Sequence, residues 1–482
     1  MAFISIRYLL FFIAIFIFNW GYVSSCRKLK KSSYKTYSVI LLVESYMFIL
    51  VSDWKTAIVL FLQTIIVYFA AKAMKKYKNN KQVCVKFFAV GIIFSVGQLI
   101  VYKYCDFFVH TVFPSDRRII PFIPLGISFF TFSAVGYLID LYRNKYEPME
   151  NFADLALYLA FFPKFVSGPI VRANKFLEQV KHGYTSVNLQ NLQIGIQYVV
   201  MGMFKKMVLA DHLAVFVDEV FHVPTAFHSA TCVWAVISYS LQIYFDFSGY
   251  SDMAIGFSKM LGIHIDKNFD LPYISRNITE FWKRWHISLS SWLQDYLYIS
   301  MGGSRRGKVR RYLNLITTML IGGLWHGASW NFIIWGGIHG AALVVHKEFM
   351  NVRSRIASEK TEQKNRKGYW SIVLTYIFVC ITWIFFRANT FSQAIEILVR
   401  TVTFQDGVQQ IYSWTFLAIA FACWEIIYSI IKNKRDVKGR LELSYPMFDL
   451  NKVTGLFFFF LFVGITMILG YVGQVAFIYG KF

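Results

Sequence analysis

Apolar runs long enough to cross a bilayer alternate with short basic stretches along the first third of this chain. About 20 predominantly apolar residues in a helix cross the hydrocarbon core. Residues 4–24 meet that length, and residues 36–52 and 55–73 predict a second and third span joined by a tight turn at Asp53–Trp54. A fourth span covers about 85–104 and a fifth about 119–141. Arg27, Lys28, Lys30 and Lys31 follow the first run, KKYKNNK (75–81) follows the third, and Arg143 and Lys145 follow the fifth. Arg117 and Arg118 add some positive charge to the fourth loop. An excess of Lys and Arg marks cytoplasmic loops, which places the N-terminus outside and the first, third and fifth loops inside.

The alternation loosens after residue 150. ALYLAFFPKFVSGPIVR (156–172) is apolar but short and interrupted by Pro163 and Pro169, which predicts a re-entrant element. Spans follow at about 192–216 and 230–258, the first of them carrying Lys205, Lys206 and Asp211. Residues 262–311 are amphipathic and too polar to cross. Further spans fall at about 312–324, 329–348, 370–387, 412–431 and 453–478, with basic loops at 351–368 and 432–440. The expected architecture is all-α: a polytopic unit of about 11 transmembrane helices with re-entrant and interfacial helices. One integral-membrane unit covers 1–482, with N-terminal spans at 1–118, a core at 119–390 and C-terminal spans at 391–482. The first run lacks a small-residue cleavage site and a basic leader, so it reads as a retained span.

Composition sharpens this picture. With 56% hydrophobic and 16% charged residues and a mean hydropathy of +0.46, an ordinary soluble domain is excluded. The net charge of +23 is gathered into loops, which reads as membrane topology rather than nucleic-acid binding. Six scattered cysteines give neither a disulfide framework nor a zinc signature, and no metal site is expected. GxSxG, Walker and HExxH motifs are absent.

Candidate chemistry concentrates between Phe269 and His346. His326 lies in IGGLWHGASWNF, beside Trp325 and among Gly322, Gly323 and Gly327. An ionisable group at membrane depth is expensive and tends to mark function. A neutral imidazole there suits removal of a proton from an attacking hydroxyl. His339 follows 13 residues later. A straight helix would hold the two about 20 Å apart, so either a break at Gly336–Gly337 and loop packing fold them together or His339 serves another point on a path. His346, beside Lys347 and Glu348, reads as interfacial.

His286 sits in FWKRWHISLSSWLQDY, which reads as an amphipathic interfacial helix with Trp282, Lys283, Arg284 and Trp285. With Arg276, Arg305, Arg306, Lys308, Arg310 and Arg311 it forms a basic surface, suited either to an anionic donor or to anchoring on anionic lipid. The turn MGGSRRG (301–307) offers backbone N–H groups to a phosphate. Asp246 and Asp252, in YFDFSGYSDMAIG, need an arginine or histidine partner if buried, either orienting a site or locking helices.

Several stretches in order carry a resemblance. They are PLGISFFTF with YLIDLYR (124–143), FFPKFVSGPI (161–170), YFDFSGYSDMAIG (244–256), the run from Asp270 to Gly307, LWHGASWNFIIWGGIHG (324–340) and WIFFRA (383–388). Over roughly residues 120–390 the sequence resembles the membrane-bound O-acyltransferase family, in its bacterial alginate O-acetylation branch. The resemblance implies a catalytic His326 in the WHG motif and a second site histidine, His339. It implies an acetyl donor, acetyl-CoA, as substrate rather than bound cofactor. It further implies a polysaccharide acceptor, a membrane-anchored or extracellular acetyltransferase partner, and a multi-pass location among the lipids of the bacterial cytoplasmic membrane. In the expected mechanism Arg284, Arg305 and Arg306 collect the donor, with His286 and Asp246 as further binding candidates. Trp325 and Trp330 exclude water, and Asn331 steadies the imidazole or the oxyanion. The D-alanylating branch that modifies teichoic acids shares the WKRWHISLS element, and the MGGSRRG turn favours acetyl transfer. A transporter of lipid-linked glycans is the reading from another class, and the lack of an inverted repeat counts against it.

Overall fold

The structure, a computed structural model, describes residues 3–29, 34–113, 119–357, 368–435, 448–473, 475, 477 and 478. Lys30, Lys31, Arg117, Arg118 and most of the basic loops at 351–368 and 432–440 lie outside the described residues. The described residues are helical, apart from one isolated bridge between Phe227 and Val408. They form two compact units, one of Met1–Val199 with Tyr250–Lys267 and the other of Val200–Gly249 with Asn268–Phe482.

Among the described residues five helices are long and apolar enough to cross a membrane: Ile6–Cys26, Tyr34–Lys76, Lys81–Val112, Tyr369–Arg387 and Ser413–Ile431. Ile127–Tyr142 and Val453–Leu469 are apolar but shorter. The helices Ser229–Met260, Lys308–His326 and Trp330–Ala357 are long enough but bury polar side chains, including Asp246, Asn314, Asn331 and His339. The expected turn at Asp53 is present as a kink inside Tyr34–Lys76, where Asp53 leaves helical geometry (φ −166°, ψ 102°). Its carboxylate accepts from Lys55 N at 3.2 Å and from the Thr56 hydroxyl, as an N-cap does for the half-helix that follows. The expected re-entrant stretch is two short helices, Phe152–Ala160 and Phe162–Phe165, broken at Phe161 and followed by buried extended chain.

In the second unit the helices Lys308–His326 and Trp330–Ala357 pack as a hairpin. The first helix stops because Gly327 is extended (φ −172°, ψ 153°) and the chain turns through Ala328 and Ser329. The sequence allowed a break at Gly336–Gly337, but the second helix runs unbroken through both, and the reversal sits at Gly327. The glycines instead permit a close crossing. A β-carbon on Gly323 would collide with the Phe332 carbonyl oxygen, and one on Gly336 with the Met319 carbonyl oxygen. A β-carbon on Gly337 would meet only the Leu320 side chain at 3.5 Å, an ordinary contact.

Gly323→Ala and Gly336→Ala should therefore destabilise the protein by about 1–3 kcal/mol through overpacking, whereas Gly337→Ala should be close to neutral. Thermal unfolding midpoints of the detergent-purified variants measure this directly.

Candidate functional site

His326 is the last residue of its helix and is 2% exposed. Its ring lies 5.0 Å from Trp325, 5.2 Å from Trp335 and 5.1 Å from Phe386, all three approaching edge to face. The His286 ring lies 6.4 Å away, so residues far apart in sequence meet. Trp335 also sits 4.8 Å from the His339 ring and stacks on Trp383 at 5.8 Å. The helix reversal thus puts one indole between the two histidines that a straight helix would have kept apart.

The imidazoles of His339 and His286 are wired differently. His339, fully buried, accepts from Trp282 Nε1 at 3.3 Å through Nδ1. An indole N–H can only donate, so Nδ1 carries the lone pair and Nε2 carries the proton. Nε2 then donates to Thr382 Oγ1 at 3.0 Å, and that hydroxyl passes its own proton to the Val379 carbonyl at 2.8 Å. Both ring nitrogens are engaged in a neutral ring.

His286 is fully buried and holds left-handed backbone (φ 44°, ψ 54°), a conformation costing a β-carbon-bearing residue about 1–2 kcal/mol. The loop residue Asn268 holds it there. Asn268 Oδ1 accepts from Ser288 N at 3.1 Å and Ser288 Oγ at 2.9 Å, and lies 3.2 Å from His286 Nδ1. Because the Ser288 N–H can only donate, this atom is the amide oxygen, and Nδ1 must bear the proton it meets. In the neutral ring Nε2 is then the basic nitrogen. The Asn268 carbonyl takes Ile287 N at 2.9 Å as well.

The remaining candidates are less central. Trp325 is buried against His286 (5.8 Å) and His326, but Trp330, expected to help exclude water, is 55% exposed. Asn331 is buried and donates through Nδ2 to the Ala388 carbonyl at 2.8 Å, tying its helix to the end of Tyr369–Arg387. Arg284 spends its donors on Glu280 Oε1 (3.0 Å) and on the Asp270 carbonyl (3.0 Å), which fastens the loop bearing Asn268. Arg305 and Arg306 are exposed on a turn where Gly302 and Gly303 have positive φ (106° and 57°), while the histidines are buried. His346 is half-buried, 2.8 Å from Thr279 Oγ1. Among the described residues no group of three His, Cys, Asp or Glu side chains is placed to hold a metal.

Asp246 is buried and pairs with Lys206, a lysine where an arginine or histidine was expected. Lys206 Nζ lies 2.7 Å from Asp246 Oδ1 and 2.6 Å from Asp211 Oδ1, while Asp246 Oδ2 accepts from Ile478 N at 2.7 Å. Next to it Lys205 pairs with Glu425 at 2.8 Å, and Glu425 also accepts from the Tyr244 hydroxyl at 3.1 Å. Both lysines lie in a π-helical turn, Phe204–Ala210. Sequence reasoning missed Asn268, Thr382 and Glu425. The left-handed His286 leaves no mark in composition, and Thr382 reads as an ordinary small residue in an apolar helix.

Comparison with known proteins adds to this geometry. Residues 127–391 match the profile described as "MBOAT, membrane-bound O-acyltransferase family". The chain is 39% identical over 332 residues to a "probable alginate O-acetylase AlgI" of Azotobacter vinelandii, covering 67% of this chain and 64% of that protein. It is 36% identical over 344 residues to a "peptidoglycan O-acetyltransferase" of Helicobacter pylori, covering 64% of this chain and 63% of that one. A "teichoic acid D-alanyltransferase" of Streptococcus thermophilus is 32% identical over 262 residues, covering 50% of this chain and 60% of that protein. The chain thus spans a little under two thirds of the length of each of these relatives.

The buried ion pairs make a separate prediction. Lys206→Met leaves Asp211 and Asp246 buried without their cation, and removing one partner of such a pair costs about 3–5 kcal/mol. The yield of monodisperse protein on gel filtration should fall sharply.

Proposed function

This chain belongs to the membrane-bound O-acyltransferase family, and from that premise we propose that it moves an acetyl group from acetyl-CoA, as substrate, into or across the membrane for O-acetylation of a cell-surface or exported polysaccharide, with His326 as general base for the hydroxyl that receives it, on the acceptor or on a partner protein. The observation that carries the reading is a buried imidazole at a helix end, walled by Trp325, Trp335 and Phe386, with a second imidazole, His286, 6.4 Å away. A ring nitrogen of His326 takes the acceptor hydroxyl proton as that oxygen attacks the thioester carbonyl. Collapse of the tetrahedral adduct breaks the carbon–sulfur bond, and the departing thiolate recovers the proton from the imidazolium. The aromatic wall keeps out water that would otherwise take the acetyl group.

His339 is a positioning residue in this scheme. Its two nitrogens are committed to Trp282 and Thr382, so it orients the Trp282 and Trp335 side chains rather than exchanging protons. His286 stands ready as a second acid–base group, presented by Asn268.

The acceptor class follows the names of the relatives, alginate and peptidoglycan O-acetylating proteins. The polysaccharide lies outside the cell and the donor inside, so a membrane-anchored or extracellular acetyltransferase completes delivery, and the chain works as a multi-pass protein of the bacterial cytoplasmic membrane.

Washed membranes expressing the chain, supplied with labelled acetyl-CoA, should transfer label to surface glycan or to a partner protein. His326→Ala should lower transfer by about 10²–10⁴ at unchanged abundance. Thr382→Val, which releases His339 Nε2 and the hydroxyl's bond to the Val379 carbonyl, should cost about tenfold or less. Label entering from a D-alanyl carrier and not from acetyl-CoA would assign the chain to D-alanyl transfer, and full activity of His326→Ala would remove it as the base.

A further inference from the structure

The first unit contains a polar concavity built from two turns. One joins the helices Tyr34–Lys76 and Lys81–Leu99, and is fixed by Asn80, whose side chain caps the second helix by accepting from Val83 N at 3.2 Å. The other follows the helix Ile127–Tyr142 and passes through Asn144 in left-handed backbone (φ 54°), which Asn tolerates better than most residues. Between the turns lies a cavity of about 390 Å³, with Lys75, Lys78, Lys81, Cys84, Tyr146 and Glu147 in its wall. That is a size common among small-ligand sites.

Its charges do not balance. Glu147 lies 3.1 Å from Lys78 Nζ and 3.5 Å from Lys75 Nζ. Hydrogen bonding and charge from Lys78 hold this carboxyl below the usual carboxylate range, so it is ionised at neutral pH. Three lysines against one glutamate leave two positive charges uncompensated in the cavity wall. The Lys75 and Lys78 side chains are 47% and 54% exposed, so their bonds to Glu147 can be exchanged for others. A multiply charged anion with several acceptor oxygens fits this arrangement, because compact ammonium groups bind phosphate as point charges.

We propose that this cavity binds a phosphate-bearing anion, whose oxygens displace Glu147 from Lys75 and Lys78 and engage Lys81. The chemistry is shared by soluble diphosphates and by anionic lipid headgroups. The lining residues belong to the first unit and the histidines to the second, and the proposal does not depend on the acyl-transfer reading.

Cys84 supplies the reporter, with Cys26, at the basic end of the first apolar span, as internal reference. Full-length protein in phosphatidylcholine nanodiscs is alkylated with iodoacetamide with and without inorganic pyrophosphate, and each cysteine is followed by mass spectrometry. A parallel set uses nanodiscs containing phosphatidylglycerol and no pyrophosphate. Slower alkylation of Cys84, with Cys26 unchanged, is expected in at least one set, and the set that responds identifies the soluble or the lipid source. If pyrophosphate responds, each single Lys→Gln change should raise its half-effective concentration about tenfold. If phosphatidylglycerol responds, the same changes should restore the Cys84 rate. Glu147→Gln keeps all three lysines and should strengthen protection, a gain that misfolding does not produce. An unchanged Cys84 rate in both sets would overturn the proposal. So would protection that survives in a Lys75→Gln, Lys78→Gln, Lys81→Gln triple variant with a normal gel-filtration profile.

Discussion

Two helix backbones approach so closely at Gly323 and Gly336 that neither position has room for a β-carbon, and the placement of the buried imidazoles follows from that contact. Between helices in a membrane, apolar burial supplies little drive because lipid is as apolar as leucine, and small residues that let backbones touch take over. Here the contact sets the register of the hairpin. Trp335 precedes Gly336, so its indole arrives against the end of the partner helix, where His326 stands. One turn of the same helix later, His339 meets the other side of that indole. A pair of missing side chains therefore organises a cluster of large ones.

Within the cluster, what each imidazole can do depends on which partners can only donate and which can only accept. The indole of Trp282 forces a lone pair onto His339 Nδ1, and Thr382 takes the proton on the opposite nitrogen. Asn268 takes the proton on His286 Nδ1 and leaves the far nitrogen basic. His339 and His286, in one aromatic environment, thus differ in acid–base capacity because of single neighbours. Trp282 and Thr382 hold His339, and Asn268 in turn depends on the Arg284–Asp270 clasp that secures its loop. Arg284, read from sequence as a donor collector, bonds Glu280 and the Asp270 carbonyl and so secures that loop.

Some of this was legible in the chain. Asp53 interrupts an apolar run with a residue that caps helices, so the kink could be read locally. The glycines around His326 and His339 announced close approach, although not where the backbone would reverse, since Gly327 and Gly336 look alike in sequence. The charge on Arg284 was visible and its commitment to Glu280 at i−4 was available from spacing alone. Asn268 was not legible, because a polar residue in a polar loop has no periodicity to betray it. Nor was the Lys206–Asp246 pair, which depends on a π-helical turn rotating adjacent lysines inward. Polar positions on Ser229–Met260 and Trp330–Ala357, among them Asp246, Asn331 and His339, are buried within the protein, which keeps those helices below the hydropathy of a span.

The tie between Asp246 and Ile478 spans 232 residues, and it imposes an order on biogenesis. When the helix bearing Asp246 leaves the ribosome, Lys206 and Asp211 are already made, but the amide that completes the carboxylate's coordination has yet to be synthesised. The Tyr471 N–H, which donates to the Met207 carbonyl at 3.0 Å beside the same lysines, also arrives late. Until then a charged group destined for the protein interior must be sheltered by lipid headgroups, water or the insertion machinery. Closure of this polar seam in the second unit therefore waits on residues far downstream of the carboxylate, and chains interrupted before them would present an unfinished seam to membrane quality-control proteases.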